Sequence, residues 1–138
     1  MKLTRRDALA LGLGVTAASF LPIRAMAAAD EAIAEFTGGA VPGTDGLTLT
    51  TPEIAENGNT VPVSVDAPGA EAIAVFATGN PTPKVATFNF GPLAGSQSAT
   101  TRMRLAGTQD VVAIARMPDG SFIQASAVVK VTIGGCGG

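Results

Sequence analysis

One side chain stands out for covalent chemistry. Cys136 is the only cysteine in the 138 residues, and it lies in the run Gly134-Gly135-Cys136-Gly137-Gly138 that closes the sequence. The rest of the reactive inventory is thin, with no histidine, tyrosine or tryptophan anywhere. No Ser–His or Cys–His pair can form within the chain. A single thiol without histidine does not hold zinc. No cofactor motif is present, and GTDG at 43–46 lacks the spacing of a phosphate loop. Any base, oxidant or metal that acts on Cys136 must therefore be brought by another protein. The chain reads as one that receives chemistry, without an active site of its own.

The glycines say how the thiol is offered. Glycine has no side chain and reaches positive φ freely, so four of them around one cysteine predict a thin, flexible arm. Such an arm could thread a narrow cleft in a partner. Its reach is short, since five residues span at most about 18 Å when fully extended. Burial as a structural cysteine does not fit, because the segment offers no apolar neighbours. An interchain disulfide is the main alternative for an unpaired exported cysteine. A prenylation box requires the cysteine fourth from the end, and Cys136 is third.

The other charged residues have plainer roles. Most carboxylates fall in predicted turns or near the N-terminus, where solvated loop charge explains them. Asp119 belongs to a Pro118-Asp119-Gly120 turn. Arg102 and Arg104 share one face of a predicted strand and read as a solvated face, with an acidic partner as the rival explanation.

The N-terminal segment, residues 1–27, reads as a twin-arginine export signal. Arg5 and Arg6 precede an uncharged run from Ala8 to Leu21, and Ala25-Met26-Ala27 offers a small-residue cleavage site. The run is too short for a membrane span of about 20 apolar residues. The formal net charge of the sequence is −2. Cleavage after Ala27 would remove four of nine basic residues and one of eleven acids, leaving −5. That balance argues against nucleic acid and against an anionic membrane as partners. The expected location is the periplasm.

The body that must position the thiol spans residues 28–133. A short helix is expected over Asp30–Phe36, stopped by Gly38-Gly39. From Leu47 onward the pattern turns to strands: LTLTT at 47–51, VPVSV at 61–65, AIAVFA at 72–77, VATFNF at 85–90, ATTRMRLA at 99–106, DVVAIARM at 110–117 and SFIQASAVVKVTI at 121–133. Asn57-Gly58 is a strong hairpin-turn signal. Pro62 suggests an edge strand or a bulge. Ala72–Ala77 is apolar throughout, as a central strand should be. VATFNF alternates Val85, Thr87 and Asn89 against Ala86, Phe88 and Phe90. About seven short strands with regular turns predict an all-β, immunoglobulin-like antiparallel sandwich, with a small barrel as the alternative. The last strand leads directly into the arm, residues 134–138.

Several stretches resemble the SoxY family: PEIAENGNTVPVSV at 52–65, NPTPKVATFNF at 80–90, RMRLAGTQDVVAIARMPDGSF at 102–122 and, most specific, KVTIGGCGG at 130–138. The resemblance covers nearly the whole chain. It implies an immunoglobulin-like sulfur carrier that pairs with SoxZ and holds its substrate covalently on Cys136, with Gly134, Gly135, Gly137 and Gly138 as the arm. It implies transient partners: SoxAX, a haem protein that joins thiosulfate to the thiol; SoxB, which hydrolyses off sulfate; and, where present, SoxCD, which oxidises the remaining sulfane sulfur. The residues alone lead to a tethered, exported thiol served by other proteins. Sulfur enters through the resemblance.

Overall fold

The computed structural model describes residues 20–133. One helix, α1 (Phe20–Thr37), precedes eight strands: β1 (Thr48–Thr50), β2 (Ile54–Ala55), β3 (Val61–Asp66), β4 (Ala72–Ala77), β5 (Lys84–Asn89), β6 (Ser98–Met103), β7 (Gln109–Arg116) and β8 (Phe122–Val131). They form a three-stranded sheet in the order β1-β3-β6 and a five-stranded sheet in the order β2-β8-β7-β4-β5. Every ladder is antiparallel except the short β2–β8 pairing. This is the immunoglobulin-like sandwich. Its first segment switches sheets, pairing with β3 through β1 and then with β8 through β2.

Period-two alternation makes the core. Val61, Val63 and Val65 of β3 turn inward, as do Met103 of β6 and Leu105 just beyond it. They meet Ile73, Val75 and Ala77 of β4, Val111, Ala113 and Ala115 of β7, and Val129 of β8. Side chains two apart lie on one face of a strand, so one set of alternate residues closes the sandwich.

The other face of the large sheet is also covered, which explains why β4 has no polar residue. Ala74, Phe76 and Ile114 point away from the sandwich core and pack under Ala32, Ile33 and Phe36 of α1, with Val112 and Phe122 alongside. Phe36 meets Phe76 and Phe122 edge-on, with ring centroids 6.2 and 5.8 Å apart. Both are favourable T-shaped geometries.

Several expectations need correction. The helix is longer than the predicted Asp30–Phe36 and continues on both sides of the Ala27–Ala28 bond. Its end is as expected: Gly38 and Gly39 take φ of 66° and 88°, the left-handed conformation that stops a helix. The described residues hold eight strands where about seven were expected, the addition being the two-residue β2. VPVSV is the middle strand of its sheet, not an edge. Pro62 is tolerated there because β1 pairs only as far as Ser64, leaving that flank of β3 unpaired beside the proline. The strict alternation of VATFNF fails at Val85. Val75 pairs with Ala86 and Phe76 with Lys84, so Val85 is skipped, and this bulge lets it pack on the same core as Phe88 and Phe90.

Candidate functional site

The arm, Gly134 to Gly138 with Cys136, lies outside the described residues, as do the twin arginines Arg5 and Arg6. The structure does define the mount from which the arm departs. β8 is held along its length by β7, from Arg116↔Phe122 to Gln109↔Val129. Beyond the ladder, Val131 N–H donates to Thr108 Oγ1 at 2.9 Å. Thr132 N–H donates to Ala55 O at 3.1 Å, and its hydroxyl to Glu56 O at 3.2 Å. Finally, Gly58 N–H donates to Ile133 O at 2.8 Å. The backbone is thus hydrogen-bonded up to the last residue before the glycines.

Gly58 is central to this mount, for a reason the sequence did not reveal. The Asn57-Gly58 pair does not make the expected hairpin turn. Neither residue has positive φ, and the flanking strands β2 and β3 pair with different partners. Asn57 Oδ1 instead accepts from Asn59 N–H at 3.0 Å, a local side-chain turn. The glycine is needed for space. A Cβ at position 58 would stand 2.6 Å from Leu105 O, 2.9 Å from Ile133 O and 2.9 Å from Val131 Cγ1. Two of these are backbone atoms, and both carbonyl-side neighbours are tied to Gly58 by hydrogen bonds, since Leu105 N–H also donates to Gly58 O at 2.8 Å. Gly58→Ala is therefore expected to cost about 1–3 kcal/mol by overpacking. It should also raise hydrogen exchange at Leu105 and at Gly58 relative to β4, which amide exchange with mass spectrometry can read.

Beside the mount, a polar cluster joins the 78–83 turn to the 104–107 loop. Asn80 Nδ2 donates to Arg104 O at 2.7 Å, and Asn80 Oδ1 accepts from Ala106 N–H at 2.9 Å. Buried Gln109 lies under them. Its Nε2 donates to Asn80 Oδ1 at 2.8 Å and to Gly107 O at 3.0 Å, and its Oε1 accepts from Gly79 N–H at 2.8 Å. Every polar atom of the Gln109 side chain is satisfied, so the cluster fixes the loop without a desolvation penalty. Above it opens a pocket of about 270 Å³ lined by Asn80, Pro81, Thr82, Arg104 and Ala106.

The two arginines predicted to share a solvated face are both exposed and alternate with buried Met103 and Leu105. Arg102 lies in β6 and donates to Thr60 Oγ1 at 3.4 Å. Arg104 follows the end of β6 and lines the pocket. Asp119 has the turn role expected of it, its Oδ1 accepting from Ser121 N–H at 2.9 Å and from the Ser121 hydroxyl at 2.5 Å. The hydroxyl bond first, and the backbone bond second, hold its carboxyl below the usual range. Among the described residues no group of three or more potential metal ligands comes together. Among them, too, no helix is long and apolar enough to cross a membrane.

Comparison with known proteins follows this geometry. A family model described as "Sulfur oxidation protein SoxY" matches residues 33–136, from within α1 to Cys136 itself. Among solved structures, the sulfur carrier protein SoxY from Chlorobium limicola f thiosulfatophilum is similar at 38% identity and a TM-score of 0.64, over 75% of this chain and 96% of that one. A superoxide reductase (neelaredoxin) from Ignicoccus hospitalis is similar at 18% identity and a TM-score of 0.56, covering 64% of this chain and 81% of that one. At that identity the likeness is one of fold alone. A comparison with curated proteins gives no match.

Proposed function

The chain belongs to the SoxY family of sulfur oxidation proteins, and from that premise we propose that it is a periplasmic carrier holding thiosulfate-derived sulfur covalently on Cys136. The observation that carries this reading is the position of the thiol. The family match runs to Cys136, and the residue three before it is gripped by the body through Gly58. A carrier needs a reactive atom on a short tether fixed to a rigid base, and this sequence puts only Gly134 and Gly135 between the two.

The chemistry sets what partners must supply. Joining thiosulfate to the thiol forms a sulfur–sulfur bond and releases one proton and two electrons, giving a thiosulfonate of charge −1. With no redox group in its sequence composition beyond the thiol itself, the chain depends on a partner to take those electrons, the role of a haem protein such as SoxAX. Hydrolysis then adds water across the terminal sulfur–sulfur bond. It releases sulfate and two protons and leaves a persulfide anion on Cys136, the role of SoxB. SoxCD would oxidise the persulfide sulfur where it is present, and SoxZ would be the stable partner. The chain itself contributes the thiol, its tether and its placement, and is a carrier, not an enzyme. A twin-arginine signal over residues 1–27 would deliver it folded, together with SoxZ.

The test is the intact mass of the mature protein from thiosulfate-grown cells, before and after reductant. Mass increments of sulfur or thiosulfate that disappear on reduction, and that map to Cys136, are the expected result. A free thiol alone, or only a disulfide-linked dimer, would overturn the carrier reading in favour of an interaction module joined through Cys136.

A further inference from the structure

We propose that the folded protein gates the removal of its own export signal: the Ala27–Ala28 bond lies inside helix α1 and can be cut only when the helix unwinds as far as Asp30. The proposal rests on the export reading of residues 1–27 above. It adds how that segment is released from a body that is already folded.

Helix geometry is the first argument. α1 runs unbroken from Phe20 to Thr37, so the bond to be cut lies well inside both of its ends. Cutting it adds water across the amide, leaving a carboxylate on Ala27 and an ammonium on Ala28. A peptidase that recognises small residues in an Ala-x-Ala pattern reads one face of an extended chain. Residues two apart share a face in a strand but point about 200° apart on a helix. The pattern at Ala25-Met26-Ala27 is therefore unreadable while α1 is intact.

Burial is the second. Ala27 is exposed, Ala28 is half-buried and Ala29 is 2% exposed, so the chain enters packed structure within two residues of the bond. Beyond it the helix is seated on the sheet through Ala32, Ile33 and Phe36. Proteases favour exposed, unpacked segments, and an exposed Ala27 on a seated helix is not one.

The third argument is that the sequence supplies a place for unwinding to halt. Opening through Ala29 frees the N–H groups that bond to carbonyls before Asp30, those up to Ile33. Aspartate is among the preferred N-caps, and Asp30 is placed to accept from the N–H of Ala32 or Ile33 in the shortened helix. Glu31 then falls in the first turn, where negative charge is favourable. The uncut helix has no acid in its first turn. Ile33 and Phe36 stay on the sheet, so the opening is local and leaves the sandwich intact. Where such opening and closing are fast, cleavage follows the population of the open form. Release of the signal is thus set by α1 and not by the peptidase alone.

The experiment uses the full-length precursor, folded in detergent solution, and a purified membrane signal peptidase. Cleavage is followed by intact mass in the wild type, Ala29→Gly, Asp30→Ala and Asp30→Asn. Amide exchange over residues 30–33 and 34–37 is followed in the same precursors without the peptidase. Residues 30–33 are expected to exchange together, ahead of 34–37. Ala29→Gly removes the best helix former and should raise both cleavage and exchange about fivefold. Asp30→Ala removes the cap of the open form and should slow both about fivefold, with Asp30→Asn within about twofold of the wild type. The same precursors held unfolded in urea that the peptidase tolerates should all be cut at one rate, faster than the folded wild type. Equal cleavage of the folded variants would overturn the gate, as would the same differences persisting in urea, which would place them in recognition by the peptidase. No cut at Ala27–Ala28 in either state would overturn the export reading and the gate with it, and leave the carrier reading untouched.

Discussion

Cys136→Ser is expected to abolish carriage completely while leaving the fold unchanged. A serine oxygen cannot form the sulfur–sulfur bond on which attachment depends, so the loss should be total and not graded. Sulfate release in a reconstituted thiosulfate-oxidising assay should fall to the level without this chain, and no adduct mass should appear. Stability should change by no more than about 0.5 kcal/mol, as for substitutions remote from packed structure. Among the described residues the hydrogen-bonded structure runs to Ile133, three residues earlier. A variant that retained measurable sulfate release would move the attachment site off the thiol. A variant that melted early would give Cys136 a structural role.

The second large effect lies at the opposite end of the chain's logic, in the layer between helix and sheet. Phe76→Ala should destabilise the protein by about 3–5 kcal/mol, the usual cost of deleting a buried aromatic ring. Phe76 is fully buried and is the largest such side chain among the described residues. Its loss removes the edge-on contact with Phe36 and empties the centre of the layer formed with Ala32, Ile33 and Ile114. Urea denaturation measures the loss of stability. Limited proteolysis should show cleavage after α1, near Gly38-Gly39, before any cut within the sandwich. Simultaneous loss of helix and sandwich would mean that the two layers fold as one unit. Alkylation of Cys136 in the native state should proceed at the wild-type rate, because Thr108, Gly58 and the end of β8, which form the arm's mount, are not part of the helix-side layer that Phe76 fills.

How far the sequence could be read follows from the length of each signal. Six- to ten-residue strands with one buried face write a period of two that is easy to find, as at Val61, Val63 and Val65. β2 is two residues long and pairs in parallel with β8, so Ile54-Ala55 carries no period at all. Helix α1 was read short because the apolar residues before Ala27 were assigned to a signal. The structure makes the part from Phe20 onward helical, and one stretch of sequence can serve both purposes. The bulge at Val85 depends on the partner strand, which no local pattern records. The same is true of Gly58. Its dipeptide suggested a hairpin, whereas the need for glycine arises from Leu105 and Ile133, far away in sequence. The thiol was legible because its chemistry is local and its neighbours are all glycine. The pocket was not, because Asn80, Arg104 and Ala106 are gathered by Gln109, a buried amide that nothing in an alternating strand announces.

The strand that ends in the arm has a mechanical consequence. β8 is the longest strand among the described residues and is laddered to β7 through eight consecutive residue pairs. A partner that grips the cargo and draws on it pulls along the axis of β8. Ladder bonds in an antiparallel pair run perpendicular to the strands, so such a pull loads them in shear, all together, instead of peeling them one at a time. On the proposed carrier function, the fold is thus a firm anchorage for a tether drawn into and out of another protein's cleft. Force-clamp pulling on Cys136 should find β8 far harder to extract than the same ladder opened from the Pro118-Asp119-Gly120 turn.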